Sequence, residues 1–209
     1  MKIVLLVEGW TEKELKPFIK RWLDTQLSPQ TVGLQVVRFE GNAQFLRDVA
    51  GKTHFHLSLN DTIAVFGLLD LYGLKLDYPK QAGRDQKIKF ARDHIVNKIA
   101  PADRPRFRQH FAVHETEAWF LSDPRLFSTI KLPAKCDRPE EVNFDEPPAQ
   151  LLDRLFSQGK ESRGYKKTTM ARVLLPKLDP ALVYQKCPNF KLMMDEMLEL
   201  SRQALSSSN

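Results

Sequence analysis

Four short strand-like segments occur in the first 115 residues, and polar segments separate them. They are Ile3–Val7, Leu34–Phe39, Thr62–Leu69 and Phe107–Val113. The first and third are continuous apolar runs, which are typical of strands that are buried in a parallel sheet. The third run is the clearest, because its eight residues carry no charge before Asp70.

Apolar residues recur at helical spacing between these runs, in segments 14–23, 45–49 and Arg84–Ile99. Thr11 and Glu14 form a capping box before the first segment, whereas Pro17 within it predicts a late start or a kink. A fourth helical segment, Ala118–Leu121, follows the last run. Strands that alternate with helices predict an open, mainly parallel α/β sheet with right-handed crossovers.

The pattern changes after Pro124. Four prolines in residues 131–148 indicate an irregular connection, and three helical segments follow, at Pro148–Phe156, Thr169–Leu175 and Phe190–Leu205. We therefore predict an α/β domain over residues 1–130, with a basic helical extension over residues 131–209 packed on it as one structural unit.

The net charge of +6 is concentrated in residues 151–191. This stretch holds nine Lys or Arg against three acids, so its surplus equals the net charge of the whole chain. Such a concentration favours a face that binds a polyanion such as nucleic acid, although a solvated helix surface is the plain alternative.

Several classes of protein are disfavoured. Cys136 and Cys187 have no CxxC partner, which argues against a zinc knuckle and a disulfide framework. The first apolar run is too short for a signal peptide, and no run approaches the ~18 residues that span a bilayer. We expect a cytoplasmic protein that does not enter a membrane.

Carboxylates follow three of the predicted strands: Glu8, Asp70, and Glu115 with Glu117. The carboxyl ends of parallel strands meet at one edge of an open sheet, where ligands bind. Clustered carboxylates repel one another unless a hard cation neutralises them, and magnesium (or manganese) prefers oxygen ligands. This edge therefore predicts a metal site that is suited to phosphoryl transfer on nucleic acid.

Each acid also has a plainer role. Glu8 could interact with the dipole of the following helix, and Asp70 could form a turn before Gly73. Glu117 could stabilise the start of the next helix, which favours Glu115 as the metal ligand. The coincidence of three strand ends is what supports the metal site.

Two short motifs, Glu8-Gly9-Trp10-Thr11-Glu12 and Leu69-Asp70-Leu71-Tyr72-Gly73, look like those of the Toprim fold of topoisomerases, primases and nucleases. More closely, the chain resembles a Toprim-like family of uncharacterised bacterial proteins that includes the nuclease effector of PARIS-type anti-phage defence systems. Further motifs carry this resemblance over nearly the whole chain: Leu76–Pro79, His114–Trp119, Ser122–Pro124, Tyr165–Lys167 and Cys187–Phe190.

The chain departs from the wider Toprim pattern at Tyr72, which occupies the place of a second aspartate. The resemblance implies that metal binding depends on Glu8, Asp70 and Glu115, with Asp77 as a weaker candidate. Lys166 or Lys167 could stabilise charge at a scissile phosphate, or could simply position the phosphate backbone.

These features predict a magnesium-dependent nuclease, and the resemblance implies a toxic effector of phage defence. The resemblance also implies control by an ATPase partner, which would be encoded separately because this chain has no GxxxxGK[ST] loop of its own. The resemblance also suggests a homodimer, for which the Met-rich last helix is a plausible contact. RNA and DNA remain open as substrates. The alternatives are an RNA-processing ribonuclease and a non-catalytic subunit with a degenerate metal site.

Overall fold

The computed structural model describes most of the chain. The described ranges are residues 1–9, 12–71, 73–113, 117–127, 132–140, 147–157 and 167–207. For five residues within these ranges only the backbone is described, namely Glu12, Lys13, Lys135, Lys167 and Thr168.

The described chain contains a four-stranded parallel sheet. Its strands are Lys2–Glu8 (β1), Gly33–Phe39 (β2), Thr62–Asp70 (β3) and Phe107–Ala112 (β4). They are ordered β2-β1-β3-β4, and every neighbouring pair runs parallel. The predicted α/β class with an open parallel sheet is confirmed, and Glu8 and Asp70 are the last residues of their strands.

Helices flank the sheet and extend beyond it towards the C-terminus. They are Glu12–Leu27 (α1), Asn42–Leu57 (α2), Arg84–Val96 (α3), Glu117–Phe120 (α4), Pro148–Ser157 (α5), Lys167–Leu174 (α6), Pro180–Lys186 (α7) and Pro188–Ser206 (α8). The described residues contain no helix that is both long enough and apolar enough to cross a membrane.

The pleat of the strands divides the core into two layers. Ile3, Leu5 and Val7 of β1 pack with α1 and the C-terminal helices, whereas Val4 and Leu6 pack with α2 and α3. Alternate residues of a strand point to opposite faces, so a strand that is covered on both sides must be apolar throughout. This explains the apolar runs that form β1 and β3.

The connections define a point where the chain changes direction across the sheet. The chain moves outward from β1 to β2, and then returns past β1 to β3 and β4. Crossovers of the same hand therefore place α1 on one face and α2 and α3 on the other. The carboxyl ends of β1 and β3 flank this switch point, where open α/β sheets bind their ligands.

The C-terminal helices share a core with the sheet. Met193, Met194 and Met197 of α8 are buried in the same hydrophobic cluster as the strands. Arg21 of α1 donates hydrogen bonds to the carbonyl oxygens of Leu175 at 3.0 Å and Leu178 at 2.7 Å. These contacts attach the predicted helical extension to the α/β layer.

Three elements differ from the prediction. α1 begins at Glu12 and continues through Pro17, which is exposed. α2 spans 16 residues rather than a short turn, because its polar second half also packs on the sheet through Thr53, His56 and Leu57. α7 was not predicted. It is only seven residues long and is capped by Asp179, whose side chain accepts a hydrogen bond from the Ala181 N–H.

Candidate functional site

Glu8 and Asp70 end neighbouring strands at the switch point. Val7 pairs with Leu68 across β1 and β3, so Glu8 lies level with Leu69 and one residue short of Asp70. Parallel strands ~4.8 Å apart that rise 3.3 Å per residue place the two Cα atoms about 6 Å from each other. Both side chains are partly exposed, so they are accessible to a ligand.

Glu8 lies near Gly41, before α2, and Asp70 lies near Gly73, in the turn after β3. The strand pleat directs Glu8 to the face of α2 and Asp70 to the opposite face. A Cβ atom added to Gly41 would lie 4.0 Å from Glu8 Oε1, and one added to Gly73 would lie 3.9 Å from the Asp70 Cβ. Asn42 connects these glycines, because its Nδ2 donates to the Gly73 carbonyl at 2.8 Å.

Two glycines shape the backbone around Glu8. Gly9 and Gly41 have φ angles of +103° and +106°, in the region that L side chains rarely adopt. The Gly9 N–H donates to the Phe39 carbonyl at 3.4 Å, which connects the end of β1 to the end of β2. The chain therefore turns sharply at both strand ends, and the Glu8 carboxylate lies near Gly41.

The oxygens at this corner form a set of donors that suits a hard cation. Glu8 and Asp70 supply carboxylates, and Asn42 supplies an amide oxygen, Oδ1, that is buried and receives no hydrogen bond from the described residues. Magnesium and manganese bind such oxygen donors in preference to nitrogen or sulfur. The residues present therefore fit the predicted cation.

The other predicted ligands are less informative. Glu117 is the first residue of α4 and only 1% exposed, which agrees with its plainer role at a helix start. Asp77 is exposed and lines a shallow cleft with Phe90 and His94 of α3. Glu115 is not among the described residues, and within the rest no three His, Cys, Asp or Glu side chains converge as a metal cluster would.

Only acids were predicted at this edge of the sheet, and Gly41 and Asn42 were missed. The signal was available, because both residues follow β2 at the same edge of the sheet as Glu8 and Asp70. A polar residue that follows a predicted parallel strand is a candidate for contact with a ligand, even when its side chain is neutral.

The basic stretch is partly neutralised by acids from other parts of the chain. Arg172 lies 3.8 Å from Glu14, and Lys186 lies 3.6 Å from Asp137. Lys191 pairs with Asp195 at 2.5 Å. Lys160, Arg163 and Lys166 lie outside the described residues, and so does the side chain of Lys167. The polyanion-binding face therefore stays a prediction that depends chiefly on residues 160–167.

One further motif has a structural role. Asp123 is fully buried and accepts hydrogen bonds from the Arg125 guanidinium at 2.8 Å and from the Asp179 N–H at 3.2 Å. Burial raises the pKa of Asp123, but these hydrogen bonds outweigh it and hold that pKa below its usual range. Arg125 also bonds Asp179 at 2.9 Å. This cluster attaches α7 to the segment after α4.

Comparison with known proteins gives a family without an assigned activity. Residues 7–198 match a family model described as "Domain of unknown function (DUF4276)". No curated protein and no solved structure matches the chain.

Proposed function

The chain belongs to the DUF4276 family, a domain family of unknown function, and from its own residues we propose that it is a metal-dependent nuclease. Such an enzyme would hydrolyse phosphodiester bonds. The observation that supports this proposal is the pair of acids at the ends of β1 and β3. Glu8 and Asp70 lie at the switch point of a parallel sheet, Glu8 near Gly41 and Asp70 near Gly73, whose carbonyl accepts a hydrogen bond from Asn42 of α2.

The proposed ligands are Glu8, Asp70 and Glu115, with Asp77 and Glu117 as secondary candidates. Magnesium or manganese would supply Lewis-acid stabilisation of a phosphoryl oxygen and a more acidic bound water. Lys166 and Lys167, from the basic stretch, would hold the phosphate backbone beside the acids. Because Tyr72 replaces the usual second aspartate, the site depends more heavily on Glu8 than it would with two aspartates.

The proposed biological role rests on the resemblance of the sequence motifs alone. A Toprim nuclease of this kind would act as a toxic effector of anti-phage defence, as a homodimer under the control of a separate ATPase. RNA and DNA both suit the proposed chemistry. A housekeeping ribonuclease would use the same site and would differ in its regulation.

A cleavage assay on the purified chain tests the nuclease proposal. Single-stranded RNA, tRNA and duplex DNA are incubated with magnesium, manganese or EDTA. We expect the wild-type chain to cleave at least one of them and EDTA to abolish cleavage. Glu8→Gln and Asp70→Asn should each reduce the rate by at least about 100-fold, with the larger loss at Glu8. Glu199→Gln, at an exposed acid of α8, is the matched control.

Wild-type protein that cleaves none of these substrates, or cleavage that survives both substitutions, would contradict the proposal. The second candidate is a non-catalytic subunit, and Tyr72 at the position of an acid is the observation that favours it. That candidate predicts nucleic-acid binding without cleavage, and binding that Glu8→Gln does not alter.

A further inference from the structure

We propose that Phe55, on the exposed face of α2, is a stacking platform for a base of single-stranded nucleic acid, and that Lys52 beside it holds the adjoining phosphate. This inference rests on the proposed function, because it takes nucleic acid to be the ligand. It goes further in assigning a second contact surface that does not involve the acids, and in favouring single strands over duplexes.

Phe55 is the exposed aromatic side chain of α2. It is 57% exposed, and the other large apolar side chains that are exposed in the described part of the chain carry no aromatic ring. A single exposed apolar side chain needs no explanation by itself. Phe55, however, lies in a shallow groove on the surface of α2, which we call the α2 groove. Its other lining residues are Arg47, Asp48, Gly51 and Lys52.

Gly51 keeps the α2 groove open. Residues four apart are neighbours on the surface of a helix, so Gly51 lies between Arg47 and Phe55. A Cβ atom added to Gly51 would meet no atom within 4 Å. Glycine inside a helix is less stabilising than alanine, and here it leaves room for a flat ligand beside the Phe55 ring.

The Phe55 ring is oriented by its neighbour in the chain. Its centroid lies 5.1 Å from that of the His56 ring, and the two planes meet at 74°, which is an edge-to-face contact. His56 is buried, so this contact connects the exposed ring to the core. A ring that is already oriented loses little freedom when a ligand stacks on it.

Lys52 supplies the positive charge that a phosphate requires. It is three residues from Phe55 and therefore its neighbour on the helix surface. Both oxygens of Asp48 accept hydrogen bonds from Arg47, at 2.8 Å and 3.0 Å, so Lys52 rather than Arg47 is available to an anion. An aromatic ring with a cation beside it is typical of sites that bind single strands without regard to sequence.

A protein partner fits the α2 groove less well. Protein interfaces of ordinary size bury about 800 Å² on each side around an apolar core. The residues that line the groove with Phe55 are charged or, at Gly51, have no side chain. A nucleobase needs only one face of the ring. Bases within a duplex are stacked on one another, so the ring can reach only those of a single strand.

Fluorescence anisotropy with the full chain tests this inference. Short labelled single strands of RNA and DNA, and their duplexes, are titrated in EDTA to prevent cleavage. We expect Phe55→Leu to weaken single-strand binding by at least about fivefold and to leave duplex binding unchanged, whereas Phe55→Tyr keeps the ring and binds like wild type. Leu192→Ala, at an exposed apolar residue of α8, is the matched control.

Two further variants separate stacking from charge and from stability. Lys52→Gln should lower the slope of log K against log salt by about 0.7, and Phe55→Leu should leave that slope unchanged. Gly51→Leu fills the α2 groove with a good helix former. It should therefore weaken single-strand binding without lowering the thermal unfolding temperature, so that its loss of binding cannot come from unfolding.

The outcomes separate this inference from the proposed function. It is wrong if wild type binds no single strand, if Phe55→Leu binds single strands as tightly as wild type, or if single strands and duplexes lose affinity equally. A change of oligomeric state in Phe55→Leu, measured by light scattering, would instead make Phe55 a protein contact. If the chain binds single strands through Phe55 but cleaves nothing with magnesium or manganese, this inference stands and the proposed nuclease activity fails.

Discussion

The Glu140 carboxylate accepts a hydrogen bond of 2.6 Å from the backbone N–H of Asn189, in the first turn of α8. The Asn189 side-chain amide donates to the same oxygen at 3.2 Å. Glu140 is only 1% exposed, and this burial raises its pKa to about 7, although the hydrogen bonds from Asn189 favour the charged form. The attachment of the last helix therefore involves a carboxyl that titrates near neutral pH.

This relationship predicts how stability depends on pH. The folded-state pKa of about 7 lies above the ordinary value of 4.5. The stabilisation from Glu140 is fully present below about pH 4.5 and is lost as the pH rises through about 7. Between pH 5 and pH 8, we expect the Glu140 contribution to the free energy of unfolding to fall by about 2–3 kcal/mol.

Urea unfolding of wild type and Glu140→Gln at both pH values checks this prediction. Glutamine keeps an oxygen that can accept a hydrogen bond from the Asn189 N–H, and it does not titrate. The free energy of unfolding of Glu140→Gln should therefore lack the decrease of about 2–3 kcal/mol between pH 5 and pH 8. Glu199→Gln, at an exposed position of α8, should behave like wild type. Parallel pH profiles for wild type and Glu140→Gln would show that Glu140 is already ionised at pH 5.

The same substitution at two glycines of one helical segment should have opposite effects. Gly41, which precedes α2, has a φ of +106°, so Gly41→Ala should lower the free energy of unfolding by about 1–2 kcal/mol. Gly51 lies inside α2 with open space around its Cα, so Gly51→Ala should raise it by about 0.5–1 kcal/mol. Thermal and urea unfolding measure both changes, and two changes of equal sign would contradict the backbone argument.

The basic stretch makes a separate prediction about nucleic-acid binding. Replacing Lys166 and Lys167 together by Gln should weaken binding and reduce the slope of log K against log salt by about 1.4–1.8, since each phosphate contact contributes about 0.7–0.9. Lys191→Gln is the internal control, because Lys191 is paired with Asp195 and Tyr184. A fluorescence anisotropy titration at several salt concentrations measures the slope. Equal slopes for wild type and the double variant would show that these lysines are only solvated.

The sheet could be predicted from the sequence because its strands are buried on both sides. Such strands admit few polar residues, so Thr62–Asp70 was visible as an apolar run that ends in an acid. The order of the strands did not follow from the apolar runs. It depends on which face each helix covers, and that is decided by long-range packing.

The candidate site was predicted only in part. Glu8 and Asp70 followed from strand ends, where chemistry and topology coincide. Asn42 could not be predicted in this way, because its distinguishing features are a hydrogen bond to Gly73 and a buried amide oxygen, which only the folded chain creates. Likewise, the motifs around Asp123 and Asn189 were noticed as marks of resemblance. Their hydrogen bonds to Arg125 and to Glu140 have structural roles that a linear pattern cannot indicate.

The shared core of β1 and α8 has a consequence for the order in which this protein can be built. Synthesis proceeds from the N-terminus, so all four strands leave the ribosome well before Pro188–Ser206. Until those residues emerge, the face of the sheet that α8 covers remains exposed to water and to other nascent chains. The α/β layer therefore gains its complete core only after Pro188–Ser206 has left the ribosome.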